Sequence, residues 1–141
     1  MPPLTPGAGQ DLAARWKWAR ERRDVDAMME LCAAEPDWRF DPYAPPLLGA
    51  NAVRAHWNEV AARQTAVEFE AERVWVSGPT VLCSWHGAYT RQSDAQRVRE
   101  RGFMTLELDD DGRIARLRRW TIERPVGLDS TVRPAAAGAA T

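Results

Sequence analysis

Lysine is almost absent from this chain. Lys17 is the only one, and arginine carries nearly all the positive charge. Acidic and basic residues balance at a formal net charge of -1, so no surplus of either sign steers the chain toward nucleic acid or a membrane surface. Cysteine is equally scarce. Cys32 and Cys83 form neither a C-x-x-C motif nor a disulfide framework. Both lie in apolar surroundings and are expected to be buried and reduced. His56 and His86 have no paired carboxylates at ligand spacing, which leaves no recognisable metal site. Asp109-Asp110-Asp111-Gly112 resembles a fragment of a calcium loop but lacks the downstream bidentate Glu, and hairpin-turn chemistry explains it better. G-x-G-x-x-G, P-loop and G-x-S-x-G motifs are all missing. No apolar run reaches the ~18 residues of a membrane span. The opening segment MPPLTPGAGQ has neither the charged nor the apolar region of a signal peptide. These absences predict a soluble cytoplasmic protein with no cofactor, no metal, and no nucleic-acid or membrane partner.

What the chain does have is apolar bulk. With 141 residues and 45% hydrophobic content, it suits one globular domain. A chain of this size buries roughly two-thirds of its unfolded surface. Seven tryptophans supply large faces for a core or for ligand-lining walls. Residues 1–9 are rich in Pro and Gly and read as a flexible leader; residues 125–141 lack periodicity and read as a flexible tail. Residues 10–124 form the domain between them.

The domain starts helical. Leu12, Trp16 and Ala19 fall on one stripe of DLAARWKWARERR. Asp24 is placed to cap a second helix, VDAMMELCAAE, which Pro36 ends. DWRFD reads as a short strand and APPLLG as a loop. Asn51 is placed to cap a third helix with Val53, Trp57, Val60 and Ala61 on one face. After Thr65 the period becomes alternating. Four strands follow: TAVEFEAERVWV, with a bulge expected near Glu72-Arg73; TVLCSWHGAYTR; QRVRERGFMTLELD; and RIARLRRWTIER. Helices first and strands after predict an α+β domain with helices on one face of a curved sheet.

Three segments carry a family resemblance: RRDVDAMMELCAAE, FDPYAPPLLGANAVRAHW and FMTLELDDDGRIARLRRW. Over about residues 10–124 the chain resembles the nuclear transport factor 2-like superfamily, in its polyketide-cyclase-like (SnoaL-like) branch. The resemblance implies a cone-shaped, cystatin-like fold: three N-terminal helices packed on a curved, mainly antiparallel sheet, with an apolar pocket at the wide end. It also implies a homodimer through the outer sheet face. The fold hosts isomerases, dehydratases, cyclases, epoxide hydrolases and binding modules, so it does not settle activity.

Asp41 is the first candidate for chemistry. In ketosteroid isomerases of this fold the general base is the Asp of a corresponding Asp-Pro segment, and here Phe40-Asp41-Pro42 stands at that place. A carboxylate among aromatics can have its pKa raised by desolvation; an Asp-Pro pair can equally just start a turn. The other isomerase groups are missing: by the resemblance, Trp16 replaces the oxyanion tyrosine and Met104 the protonated aspartic acid. An enolate needs donors aimed at its oxygen, and methionine offers none. Limonene-epoxide-hydrolase-like relatives use an Asp-Arg-Asp set. Arg39 and Asp41 share a strand face, and Glu100 is the possible third member, although exposure beyond the core edge is the expectation for it.

His86 is the second catalytic candidate, by its reference pKa near 6.5. The inner set of its strand is either Cys83, Trp85, Gly87 and Tyr89 or Leu82, Ser84, His86 and Ala88, and the more apolar first set would put His86 outside. Trp16, Trp38, Tyr43, Trp57, Trp85, Tyr89, Met104 and Trp120 are the candidate substrate-binding residues. Their aromatic character suits a small apolar molecule, or an ordinary core. Trp120 fits either side of its strand. The expected function is acid–base chemistry of the isomerase, cyclase or dehydratase kind on a small apolar substrate, with a non-catalytic dimeric ligand-binding or accessory domain as the alternative.

Overall fold

The computed structural model describes residues 4–127. Most of the tail read at 125–141 therefore lies outside the described residues. Helix α1 spans Pro6–Arg22. It starts inside the stretch read as a leader because Thr5 caps it, its hydroxyl accepting from Ala8 N at 3.1 Å, and Pro6 pre-sets the first turn. Leu12, Trp16 and Ala19 form its buried stripe as the periodicity predicts, and Arg20 is buried with them.

Helix α2 is shorter than expected, Val25–Glu30. Asp24 caps it, accepting from Ala27 N at 3.0 Å. The LCAAEP segment then turns extended, and strand β1 runs Cys32–Arg39. Leu, Ala and Glu favour helix locally, but pairing with the last strand wins: Ile114 N donates to Leu31 O at 2.7 Å, and Cys32 lies beside Ile114. Pro36 sits where the register of that pairing slips, so its missing N–H breaks no regular ladder. A two-residue strand, β2 (Leu47–Leu48), pairs with β1.

Helix α3 spans Ala50–Arg63. Its N-cap is Gly49 rather than Asn51, at φ 91°, a conformation that glycine adopts without strain. Val53 and Trp57 face inward. The remaining strands are β3 (Gln64–Ser77), β4 (Thr80–Arg91), β5 (Arg97–Leu108) and β6 (Ile114–Pro125). The bulge predicted in β3 occurs between Ala71 and Arg73. The sheet order is β2-β1-β6-β5-β4-β3, antiparallel throughout except for the parallel β1–β6 pair. This open, curved, mixed sheet with helices on its inner face is the predicted α+β architecture.

The core lies between the helices and that inner face. Trp38 is fully buried and donates its indole N–H to Ile114 O at 3.0 Å. Trp16 packs on Trp38 and Trp57 at centroid distances of 6.0 and 5.6 Å, and Phe40 edges Trp57 at 5.3 Å. Among the described residues no helix is long and apolar enough to cross a membrane.

Candidate functional site

The site follows from strand register. Directly paired residues share a face in an antiparallel sheet. Three inner-face rows cross β4, β5 and β6: Gly87–Glu100–Glu123, Trp85–Gly102–Thr121 and Cys83–Met104–Arg119. Polar side chains thus point to the inner side at Glu100, Thr121 and Arg119, with Glu123 exposed at its rim. Helix α1 adds Arg20 from above, held by its bond to Gln64 Oε1 at 2.9 Å.

Glu100 corrects an expectation. Alternation assigns it to the inner face, but it is only 6% exposed rather than lying beyond the core edge. The residues that enclose it, Arg20 and Arg119, come from other elements, so local sequence did not reveal the burial. Burial first, then the neighbouring Glu123 carboxyl, push the Glu100 carboxyl up to about 7 against the opposing charges of Arg119 and Arg20. Desolvation lowers Arg20 to about 10, with Glu100 countering. Arg119 is lowered for the same reason. Tyr89 donates to Glu123 Oε2 at 3.2 Å, and burial followed by the Glu123 and Glu100 charges pushes its hydroxyl up to about 12. His56 stacks on Phe40 at 4.3 Å. Burial, then the positive charges of Arg119 and Arg20, drops it to about 4, so it is a neutral imidazole at pH 7.

Two hollows lie beside this cluster. A groove of about 820 Å³ runs along the rim, lined by Phe40, Asp41, Arg119, Thr121 and Glu123 and also by the outer-face residues Arg101, Phe103, Trp120 and Ile122. A second hollow of about 620 Å³ is lined by His56, Val60, Gln64 and Tyr89. A separate space of about 10 Å³ beside the tryptophans is bounded by Trp16, Arg20, Glu68, Trp85, Glu100, Met104 and Arg119.

The residues singled out in the sequence fall in different places. Asp41 lies exposed on the groove wall, and its Oδ1 accepts from Tyr43 N at 2.9 Å, which is an Asx turn. It adds negative charge near Arg119. His86 is on the outer sheet face, 2.9 Å from Glu72 Oε2, which also receives Arg101 at 2.7 Å. Trp16, Trp38, Trp57, Trp85, Tyr89 and Met104 are buried on the inner side; Tyr43 is 98% exposed, and Trp120 stands on the outer face. The structure gathers Glu100, Glu123, Tyr89, Arg20, Arg119 and His56 and leaves Asp41 at their rim. The arginine facing Glu100 is Arg119 rather than Arg39. Among the described residues no group of three or more His, Cys, Asp or Glu could hold a metal ion.

Helices packed on a curved, open six-stranded sheet define a nuclear transport factor 2-like domain. Residues 13–117 match the SnoaL-like domain, and the chain belongs to that family. Solved structures share the fold. SalBIII, an epoxide hydrolase/cyclase-like enzyme with a role in pyran ring formation in the polyether salinomycin, superposes at TM-score 0.73 with 18% identity, over 82% of this chain and 92% of its own. TsrD from Streptomyces laurentii gives 0.71 with 14% identity, over 84% and 90%. A computationally designed 17-OHP binder gives 0.71 with 15% identity, over 83% and 97%. No curated protein matches.

Proposed function

We propose that the protein is an acid–base catalyst of the isomerase, cyclase or dehydratase kind, acting on a small, mostly apolar substrate. One observation carries the reading: the buried Glu100 stands directly opposite Glu123 across β5 and β6, within the charge field of Arg119 and Arg20. Two carboxyls in different environments, one buried and one open to solvent, can divide the acid and base roles. Glu100 then donates its proton to a substrate oxygen while Glu123 withdraws one from a neighbouring carbon. Neutral His56 and Tyr89 orient the substrate, and Asp41 and Arg119 frame the route in. In this reading the roles that the sequence suggested for Asp41 and His86 pass to Glu100 and Glu123. The fold likeness to a cyclase-like enzyme is consistent with the class.

Hydrogen–deuterium exchange into enolisable ketones, followed by NMR in heavy water, tests the reading without knowledge of the natural substrate. The protein should accelerate exchange for at least one ketone of a size-graded panel, and Glu100→Gln should lose about a hundredfold or more of the acceleration. Buffer-rate exchange across the panel, or an unimpaired Gln variant, would count against it.

The exposed position of Asp41 at the rim favours a second reading, a non-catalytic ligand-binding or accessory domain. Under either reading the protein is a homodimer through the outer sheet face. There Phe103 lies 6.2 Å from Trp75 and 6.3 Å from Trp120, beside exposed Ile122.

A further inference from the structure

Sheet register leaves the second half of β6 with an open edge. The β1–β6 pairing ends at Arg39 beside Arg118, whereas β6 runs on to Pro125. Among the described residues, β6 past Arg118 therefore has a strand neighbour only on its β5 side. The direction of its main chain follows from the β4–β5 hairpin. Arg91 N donates to Gln96 O at 2.8 Å, so Tyr89–Val98, Gly87–Glu100 and Trp85–Gly102 are hydrogen-bonded pairs of β4 and β5. The alternate residues Arg99, Arg101 and Phe103 then turn their main chain to Arg124, Ile122 and Trp120 of β6. Arg119, Thr121 and Glu123 thus turn their N–H and C=O groups away from β5, toward the groove they line. An open strand edge is a template for another chain, and proteins blunt such edges with lysine, proline or a bulge. Here the register with β5 is unbroken from Glu107–Arg116 to Val98–Pro125, and residues 119–123 (RWTIE) contain neither lysine nor proline. The outer edge of β3 differs, because Lys17 and Glu21 of α1 bond there to Phe69 O and N. Phe40, Asp41, Pro42 and Tyr43 wall the groove on its far side. Tyr43, Trp120 and Ile122, all exposed, bring large apolar side chains to it. A main-chain edge on one side and a loop wall on the other admit one extended chain and exclude the edge of a second folded sheet.

We propose that the β6 edge at Arg119–Glu123 is a docking site for an extended polypeptide segment, which adds a strand beside β6 in the groove. Side chains of the segment that fall on the outer face meet Trp120 and Ile122, so they are apolar. Those on the inner side meet Thr121 between the charges of Arg119 and Glu123, so they are polar. A strand added in the plane of the sheet leaves the outer face free to pack on a second copy. The inference rests on register and exposure, and not on the acid–base reading.

Fluorescence anisotropy of a fluorescein-labelled hexapeptide of alternating valine and threonine, titrated with the full chain, tests it. Two further probes carry the same sequence N-methylated at either the valine or the threonine amides. A strand paired along one edge presents only one of these sets to β6. One methylated peptide should therefore bind about tenfold or more weaker than the parent, and the other within about threefold of it. Thr121→Pro should also weaken the parent peptide about tenfold. The substitution removes an edge N–H and leaves the β5 ladder whole, so the variant should keep its fold. If it does not fold, the methylated pair alone decides. No binding of the parent peptide at millimolar protein, equal affinity for the two methylated peptides, or wild-type affinity in Thr121→Pro each overturns the site. Loss of self-association in Thr121→Pro, with no peptide bound by the wild type, also overturns it and assigns the edge to a second copy.

Discussion

At the scale of single residues, Glu100 and His56 are tuned in opposite directions by one environment. Folding raises Glu100 from 4.5 to about 7 and lowers His56 from 6.5 to about 4. Between these limits the folded state keeps the Glu100 proton that the unfolded chain releases, so this carboxyl loses stabilising effect as pH rises. His56 behaves oppositely. The unfolded chain binds a proton that the folded state refuses, so its contribution is lost as pH falls from 6.5 toward 4. Each slope is at most about 1.4 kcal/mol per pH unit, and in the overlap they nearly cancel. Urea unfolding of the wild type should therefore be nearly flat in pH across the overlap. Glu100→Gln should expose the histidine slope, with stability falling as pH falls. His56→Phe should expose the opposite one. Parallel profiles for all three proteins would rule out this coupling.

The sequence made part of this legible. Strand alternation puts Glu100 on the inner face, and the apolar count of β4 puts Trp85 and Tyr89 there and His86 outside. Its burial was not legible, because Arg20 and Arg119 come from a helix and a strand far along the chain. Asp41 attracted notice through its aromatic neighbours, yet its side chain closes a turn onto Tyr43 N. The signal available in advance was an acidic residue on an apolar inner set, facing the equally anomalous Glu123 and Arg119 on the next strand.

At the scale of elements, the only lysine has a structural use. Lys17 on α1 donates to Phe69 O at 2.9 Å and to Glu21 at 3.0 Å, and it also pairs with Glu70. Glu21 in turn accepts from Phe69 N at 3.0 Å. Helix α1 thereby satisfies both backbone groups of Phe69 on the outer edge of β3, a strand that among the described residues has a neighbour only on its β4 side. An unpaired edge invites pairing with another chain, and this contact blunts it. The backbone bonds should outweigh the ion pairs, which lie near solvent. Glu21→Ala should cost about 1–3 kcal/mol by leaving an amide unpaired, whereas Glu70→Ala should cost less than about 1 kcal/mol. Equal losses in urea unfolding would refute that ranking. No periodicity announces such a clamp, since Lys17 and Glu21 read as an ordinary surface pair four residues apart. The end of α2 was hidden for a similar reason: LCAAEP is a good helix former until β6 is beside it.

At the scale of the whole molecule, the fold was the most legible feature, because long strands with clean alternation specify their own faces. What alternation does not reveal is where aromatic residues on the outer face meet. Register places Phe103 opposite Trp120 on β5 and β6, and Trp75 comes alongside from β3. The row is bordered by intrachain charge pairs, Glu72 with Arg101 and Glu107 with Arg116, and by the contact of His86 with Glu72. Exposed aromatics surrounded by already neutralised charges suit a self-complementary two-fold interface, where desolvating the rim costs little. Light scattering should then report a dimer at micromolar concentration. Trp120→Arg should give a monomer, because two-fold symmetry places two added charges in one apolar contact. The variant should keep its fold by circular dichroism, since Trp120 is 46% exposed and packs on no helix in the core. A monomeric wild type would refute the interface, a Trp120→Arg protein that stays dimeric would move it elsewhere, and either result leaves the aromatic row as plain surface.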